Sequence, residues 1–339
     1  MSSGCAQMAA APGTTPPDPS KHVNYTLGML LGVDDFNQEF AYLSGRDRWM
    51  ARDLGGYGTI CGLKVSLSST TTGPLISVSC GTALSPRGQL ICLHPSQCAN
   101  LNDWVSANES KVQTAIGSPP GSLLNLWLVL CYRECPTDAV PIAGEPCRSA
   151  ADLMAPSRLV DDFRLDLRIA PPEQPEEEAV RDFVAWLDQV QITDAAGFFP
   201  TLDQFVNAMR AALVPTASPL DPGAYFHPGS PLTSIHIHPA SVGDYLRAAF
   251  RIWATEIRPL FHASWPLQSC SCSGSPAVLP TDECLLLAEV EVPLVNVGPG
   301  QNFVVDDKHP VILDESQRPI LLSTRVIQEW MQSGLRGGK

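Results

Sequence analysis

Cysteine is the residue most able to do chemistry in this chain of 339 residues, which carries 11 of them. Six, Cys131, Cys135, Cys147, Cys270, Cys272 and Cys284, form two clusters on either side of a long central stretch. Four convergent thiolates bind zinc tetrahedrally, and Cys135, Cys147, Cys270 and Cys272 are the quartet in loop-like segments, whereas Cys131 and Cys284 fall in strand-like ones. The spacing lacks the paired CxxC of a zinc ribbon. A structural zinc therefore competes with a disulfide pair, and both compete with the simpler expectation of buried thiols acting as small hydrophobes. An odd count spread over a long chain fits reduced thiols better than a disulfide framework. No other cofactor is implied.

His236-Ile237-His238 places two imidazoles on one side of a strand, because side chains alternate with period two. Such a pair can ligate a metal, but Pro239 follows at once, and histidines on a surface turn are the simpler expectation. His227 and His262 add no pattern. The chain has no GxSxG, no GxxxxGK[ST] and no HExxH, which removes the usual markers of nucleophilic, nucleotide and metalloprotease chemistry. Its adjacent acidic pairs, Asp34-Asp35, Asp161-Asp162 and Asp306-Asp307, are of the kind that cap helices and solvate turns. No catalytic residue is expected.

Composition narrows the partners. With 22 Lys+Arg against 35 Asp+Glu the formal charge is −13, which offers no basic surface to phosphates or anionic lipid, so nucleic acid is not an expected partner. A hydrophobic fraction of 44% is enough for a sizeable core. No run reaches the roughly 20 apolar residues of a membrane helix, so no membrane insertion is expected. The first residues lack the basic start and apolar segment of a secretory signal, which leads to an expectation of cytoplasmic synthesis.

The elements that must position these groups follow from periodicity. Asp34 and Asp35 can cap a helix over 34–54, in which Phe36, Phe40, Leu43, Met50 and Leu54 recur on one face. Residues 59–67, 75–80 and 88–93 read as short strands of an antiparallel meander, followed by a helix at about 101–115. The apolar run 123–132 suits a central strand and 163–169 alternates as a half-buried one. Pro171-Pro172 then breaks the pattern, and helices are expected at 176–190 (Val180, Phe183, Val184, Leu187 and Val190 inward), 202–213 and 242–260. Strands at 284–294 and 302–305 and a helix at 323–331 end the chain. The expectation is an α+β fold, mainly antiparallel sheet with an N-terminal helix and an inserted helical segment. Residues 1–23 form a flexible arm, 24–172 plus 266–339 the core domain, and 173–265 the helical insertion.

The stretch from Asn24 to Leu90 carries a recognisable pattern. Tyr25 and Gly28 to Leu31 precede a helix opening with Asp35-Phe36; Arg52 and Leu54 to Gly56 lead to Gly58, Cys61 to Leu63 and Val65; and Val78, Gly81, Ala83, Gly88 and Ile91 form a hairpin. This pattern resembles uncharacterised structural proteins of bacterial contractile injection systems and phage-tail-like gene clusters. Fainter echoes follow in the same order at 131–134, Val140-Pro141, Ser157-Arg158 and 284–290. The sequence departs from the pattern at Gly55-Gly56, where a polar residue and a histidine are more usual.

The resemblance implies a non-enzymatic structural or assembly component of a phage-tail-like particle, at a baseplate, spike or fibre attachment. Other subunits of that particle would be its partners, homo-oligomerisation would be expected, and the assembled particle could be released. Within the matched segment Tyr25, Met29, Phe36, Phe40, Arg52 and Tyr57 are the candidate interaction residues. The glycines contribute shape rather than reacting groups. Two alternatives stand beside this: a ligand- or receptor-binding protein using Trp186, Phe198, Phe199, Trp253 and Trp265 of the insertion, and a metal-dependent enzyme using its histidines or cysteines.

Overall fold

A computed structural model describes residues 17–116, 123–141, 154–195, 199–212, 236–261, 284–298 and 303–329. The chain divides into two compact units, residues 1–172 with 283–339, and residues 173–282. The fold is α+β, with antiparallel sheets in the first unit and an N-terminal helix. Among the described residues no helix is long and apolar enough to cross a membrane.

The first unit opens with α1 (Val33–Gly55), a 23-residue helix. The Asp35 carboxylate accepts from Gly32 N–H at 2.8 Å and so ties off its first turn, and Asp34 and Asp35 place negative charge at the dipole's positive end. Six short strands follow: β1 (Gly58–Gly62), β2 (Val65–Thr70), β3 (Gly73–Val78), β4 (Gly81–Leu84), β5 (Leu90–Leu93) and β6 (Gln97–Asn100). They make two three-stranded sheets, β1-β4-β5 and β2-β3-β6, rather than one meander. The expected strand 59–67 is divided at Leu63, whose φ of 55° turns the chain from one sheet into the other. The expected helix 101–115 is likewise two, α2 (Leu101–Ala107) and α3 (Glu109–Ile116), the first capped by the Asn100 side chain.

The larger sheet is built on β7 (Leu123–Pro141), a 19-residue strand paired with β8 (Met154–Arg168) on one side and β11 (Cys284–Asn296) on the other. Strands β12 (Phe303–Val305) and β13 (Ile312–Asp314) pair in turn along the far edge of β11. Leu124, Leu126, Leu128 and Leu130 of β7 all face the main core, as period two requires, where they join Leu285, Val290 and Val292 of β11 and the buried residues of the small sheets. The opposite face carries a small cluster of Val129, Cys131, Cys284 and Leu286. A clip at 315–321 fastens the chain's end to β1. Buried Arg318 donates to Thr59 Oγ1 and to the Leu63 carbonyl, both at 2.9 Å, and Thr59 exchanges backbone hydrogen bonds with Pro319 and Leu321.

The second unit has its own core. Helices α4 (Pro175–Asp188), α5 (Leu202–Ala212) and α6 (Val242–Ile252) supply Phe183, Trp186, Phe205, Met209, Ala249 and Ile252, and α7 (Arg258–Phe261) comes last. A π-helical segment, Trp253–Ile257, joins α6 to α7. Strands β9 (Gln191–Ile192) and β10 (His236–Ile237) form a parallel pair. Trp186 is buried and Val184 is 48% exposed, so the buried stripe of α4 runs through Ala179, Phe183 and Trp186, turned by a fraction of a turn from the expected one, with Phe183 common to both.

Candidate functional site

The orientation of α1 is what sets this surface apart. An amphipathic helix ordinarily turns its apolar stripe to the core. Here the fully buried positions on the body side are Gly45 and Arg52, one small and one polar, with Ala41, Arg48 and Trp49 partly buried beside them. The stripe of Phe36, Phe40, Leu43, Met50 and Leu54 faces out, with exposures from 48% at Met50 to 85% at Leu54. The preceding segment adds Tyr25, Leu27, Met29, Leu30 and Leu31, all exposed. Apolar residues clustered on one exposed element mark an interaction surface, whereas scattered ones do not.

The reason for the inversion lies in the β4–β5 turn. Gly88 has φ of +77°, and a Cβ there would lie 2.3 Å from the Arg48 carbonyl oxygen, so the turn and the helix backbone are in direct contact. Arg52 pegs the same joint: its Nε donates to the Pro86 carbonyl at 2.5 Å and its Nη1 lies 3.2 Å from Asp53. Two expectations are corrected here. Arg52 and Tyr57 cannot serve as contact residues, because Arg52 is consumed by this buried peg and Tyr57 belongs to the main core. Tyr25, Met29, Phe36 and Phe40 lie at the surface.

Residues 17–23, expected as the end of a flexible arm, are tied back along α1. The Gln38 side chain accepts from Asp18 N–H at 2.9 Å and donates to the Asp18 carbonyl at 2.6 Å, while Glu39 Oε2 accepts from Val23 N–H at 2.9 Å. These bonds use polar side chains of α1 beside its packed face and leave the apolar stripe uncovered. Residues 1–16 of that arm lie outside the described residues.

Beside Phe40 a groove of about 230 Å³ runs between α1, β5 and the β7–β8 pair, lined by Arg48, Leu90, Tyr132, Glu134, Leu159 and Asp161. The Tyr132 hydroxyl lies 2.9 Å from Glu134 Oε1 and 2.5 Å from Asp161 Oδ1, and having one proton it donates to one carboxylate at a time. Burial and then these two carboxylates push the phenol far above its ordinary range. Arg48 reaches Glu134 at 3.5 Å. A phenol held protonated and carboxylates engaged by it are groups for recognition, not for nucleophilic attack.

A second cavity of about 410 Å³ lies between the β2–β3 hairpin and residues 306–311. His309 Nδ1 is 2.6 Å from Asp306 Oδ2, and this contact, with the Lys308 N–H, holds the Asp306 carboxyl below its usual value. A serine-type site needs a hydroxyl hydrogen-bonded to the far imidazole nitrogen. Among the described residues none is bonded to His309, which is 71% exposed on its turn.

The cysteines behave differently from the reading of reduced, buried thiols. Cys131 and Cys284, directly opposite each other on β7 and β11, form a disulfide with Cα atoms 4.1 Å apart. The antiparallel register brings the two thiols face to face, which overrides the argument from count and spacing. The Arg168 guanidinium lies against it, with Nη2 2.8 Å from Cys284 Sγ. Cys135 is disulfide-bonded as well, so it cannot supply a thiolate to the expected zinc quartet; Cys147, Cys270 and Cys272 lie outside the described residues. Cys61, Cys80, Cys92 and Cys98 are free and exposed.

The histidine pair does not converge. His238 Nδ1 accepts from Ala240 N–H at 3.1 Å and caps the turn at Pro239–Ser241, while His236 pairs with β9. Among the described residues no three His, Cys, Asp or Glu side chains gather as a metal site would require. His227 and His262 lie outside the described residues, as do Phe198 and Trp265. Of the insertion's proposed aromatic surface, Trp186 is core, 2% exposed, and Trp253 stacks on Phe183 with centroids 4.8 Å apart, so neither forms an open apolar face.

No protein-family model and no curated protein matches this chain.

One feature of the surface had no signal in the periodicity. Past Cys131, the pairing of β7 among the described residues is with β8 alone, from Tyr132↔Phe163 to Pro141↔Met154. This two-stranded ribbon carries exposed Val140, Met154, Leu159 and Val160. The mixture of proline, threonine and charge at 133–141 reads as a loop, yet opposing Arg133–Asp162 and Arg158–Asp138 pairs hold it as strands.

Proposed function

We propose that this chain is a non-enzymatic structural component of a phage-tail-like contractile injection particle, at the baseplate, spike or fibre attachment, acting through protein–protein contacts. The observation that carries the docking part of this reading is the outward apolar face of α1. A long helix held to its own body by glycine and polar pegs, with its apolar stripe in solvent, has its stabilising partner elsewhere. The assignment to a particle rests on the resemblance of residues 24–90, the stretch that builds α1 and the sheets on which it is seated. In this reading the β sheets hold α1 at a set angle and the assembly covers its exposed stripe.

The test is electron microscopy of particles from cells with and without the gene, with a Phe40→Asp strain as the third arm. Particles lacking a component, or failing to form, in the deletion and Phe40→Asp strains support the reading. Normal particles without any trace of the protein would sink it.

The insertion supports a second reading, recognition of a ligand or receptor. Four buried side-chain atoms there, Gln174 Oε1, Asp182 Oδ2, Trp186 Nε1 and His236 Nδ1, have no hydrogen-bond partner among the described residues. Each such atom costs about 1–3 kcal/mol, and a polar group entering the unit would recover part of that. Calorimetry with the intact protein tests it, a saturable heat lost on Asp182→Ala being the supporting result.

A further inference from the structure

The stripe on α1 follows a strict rule. Val33, Phe36, Phe40, Leu43, Met50 and Leu54 are separated by alternating steps of three and four, once Asp47 fills the one remaining place. That is a heptad pattern over three repeats, with Val33, Phe40, Asp47 and Leu54 at a and Phe36, Leu43 and Met50 at d. Gln38, Gly45 and Arg52, which meet the body of the protein, are the f positions, opposite the seam. The f positions face the body, which leaves the a and d side chains of α1 exposed between the β7–β8 pair beside Phe40 and the segment tied to Glu39.

We propose that the seam is filled by α1 of a second copy of this chain, running antiparallel about a two-fold axis between Phe40 and Leu43. The proposal deepens the docking reading and rests on it for the use of this face. Charge selects both the partner and the direction. In a parallel, in-register pair the two Asp47 carboxylates would face each other in one layer across the seam, and Glu39 and Arg46 would face Ser44 and Ala51 instead of each other. In the antiparallel pair Phe40 layers with Leu43, Val33 with Met50 and Phe36 with Asp47, and the two Asp47 side chains lie about 16 Å apart along the axis, each beside an aromatic ring instead of the other carboxylate. The flanking g positions then match: Glu39 of each copy faces Arg46 of the other, twice by symmetry. Glu39 uses Oε2 on Val23 N–H, which leaves Oε1 for the partner, and the exposed Arg46 guanidinium is held over Tyr42, 5.5 Å from the ring centroid. Asn37 and Ser44 meet at the e positions without charge. Six seam side chains exposing on the order of 100 Å² each bury about 1,200 Å² over both copies, the lower bound of stable interfaces.

Sedimentation equilibrium of the intact chain at micromolar concentrations tests this, with circular dichroism to confirm that each variant is folded. The expected result is a wild-type dimer. Arg46→Glu or Glu39→Arg alone should weaken it about tenfold by setting like charges opposite each other, and the double exchange Glu39→Arg/Arg46→Glu should restore it. Phe40→Asp should leave a folded monomer, since that side chain is exposed in the single chain. A wild-type monomer at all concentrations overturns the proposal, as does a dimer in which the double exchange is no better than either single one. Neither result bears on whether particles need the protein, so the two readings fail separately.

Discussion

Removing the disulfide between β7 and β11 should cost this protein a large share of its stability. Cys131 and Cys284 are separated by 153 residues, and closing a loop of that length lowers the entropy of the unfolded chain by an amount worth about 5 kcal/mol. The loop contains the whole helical unit, residues 173–282. Should that unit stay folded while the sheets open, only roughly 45 residues of the loop are free, and the stabilisation falls to about 4 kcal/mol. Replacing both cysteines by alanine leaves little cavity beside Val129 and Leu286, so the loop term dominates. Against a usual total of about 5–15 kcal/mol the change is decisive. Urea unfolding followed through tryptophan fluorescence reads it directly, Trp127 lying against the pair. The Cys131→Ala/Cys284→Ala variant should lose about 4–5 kcal/mol, and reduced wild type should match it. A loss below about 1 kcal/mol, with peptide mapping showing the bond present in wild type, would refute the reasoning.

Three further outcomes follow from geometry. Gly88→Ala puts a methyl group 2.3 Å from the Arg48 carbonyl at a φ of +77°, so it should cost about 3 kcal/mol or more in the same assay; a change under about 1 kcal/mol would mean that α1 is not seated on that turn. The Cys80 thiol, 3.3 Å from Ser96 Oγ and 3.5 Å from His94 Nδ1, is held below its ordinary value, by Ser96 first and then His94. It should be alkylated before Cys61, Cys92 and Cys98 at neutral pH and lose that lead in Ser96→Ala, whereas equal rates would contradict the assignment. In the helical unit, burial raises the carboxyls of Glu177 and Glu178 despite Arg181 nearby. Groups that bind protons more readily folded than unfolded favour folding as pH falls, so this unit should gain stability from neutral down to the ordinary carboxylate value of 4.5. Below that it should lose stability as Glu256, lowered by its Arg210 partner, takes up its proton. Hydrogen exchange at Trp186 and Phe205 against pH checks both limbs, and Glu177→Gln/Glu178→Gln should abolish the gain.

Periodicity made the long elements legible. The spacing of Phe36 to Leu54 marks α1 to within a residue at either end, the apolar run from Leu123 marks the centre of the large sheet, and Pro171-Pro172 marks where the chain leaves the first unit. Periodicity is a property of one segment, however, and says nothing of what covers a face. Which side of α1 meets the body depends on Gly88 and Arg52, residues 36 apart whose meeting is a tertiary event. The same limit hid the Cys131–Cys284 bond, because the register of β7 against β11 decides which cysteines face each other. Strand β6 has no signal among the serine and proline turn residues around it, and β4 enters only through the hairpin pattern of Val78 to Ile91, since the stability of such four-residue strands comes from neighbours rather than from propensity.

The bond across β7 and β11 also closes residues 131–284, the helical unit among them, into a covalent ring. A protease that nicks the chain anywhere between Cys131 and Cys284 cuts the ring without parting its ends. The severed pieces would migrate as one species until a reductant is added, so a cut within the helical unit leaves the two central strands of the large sheet moored to each other.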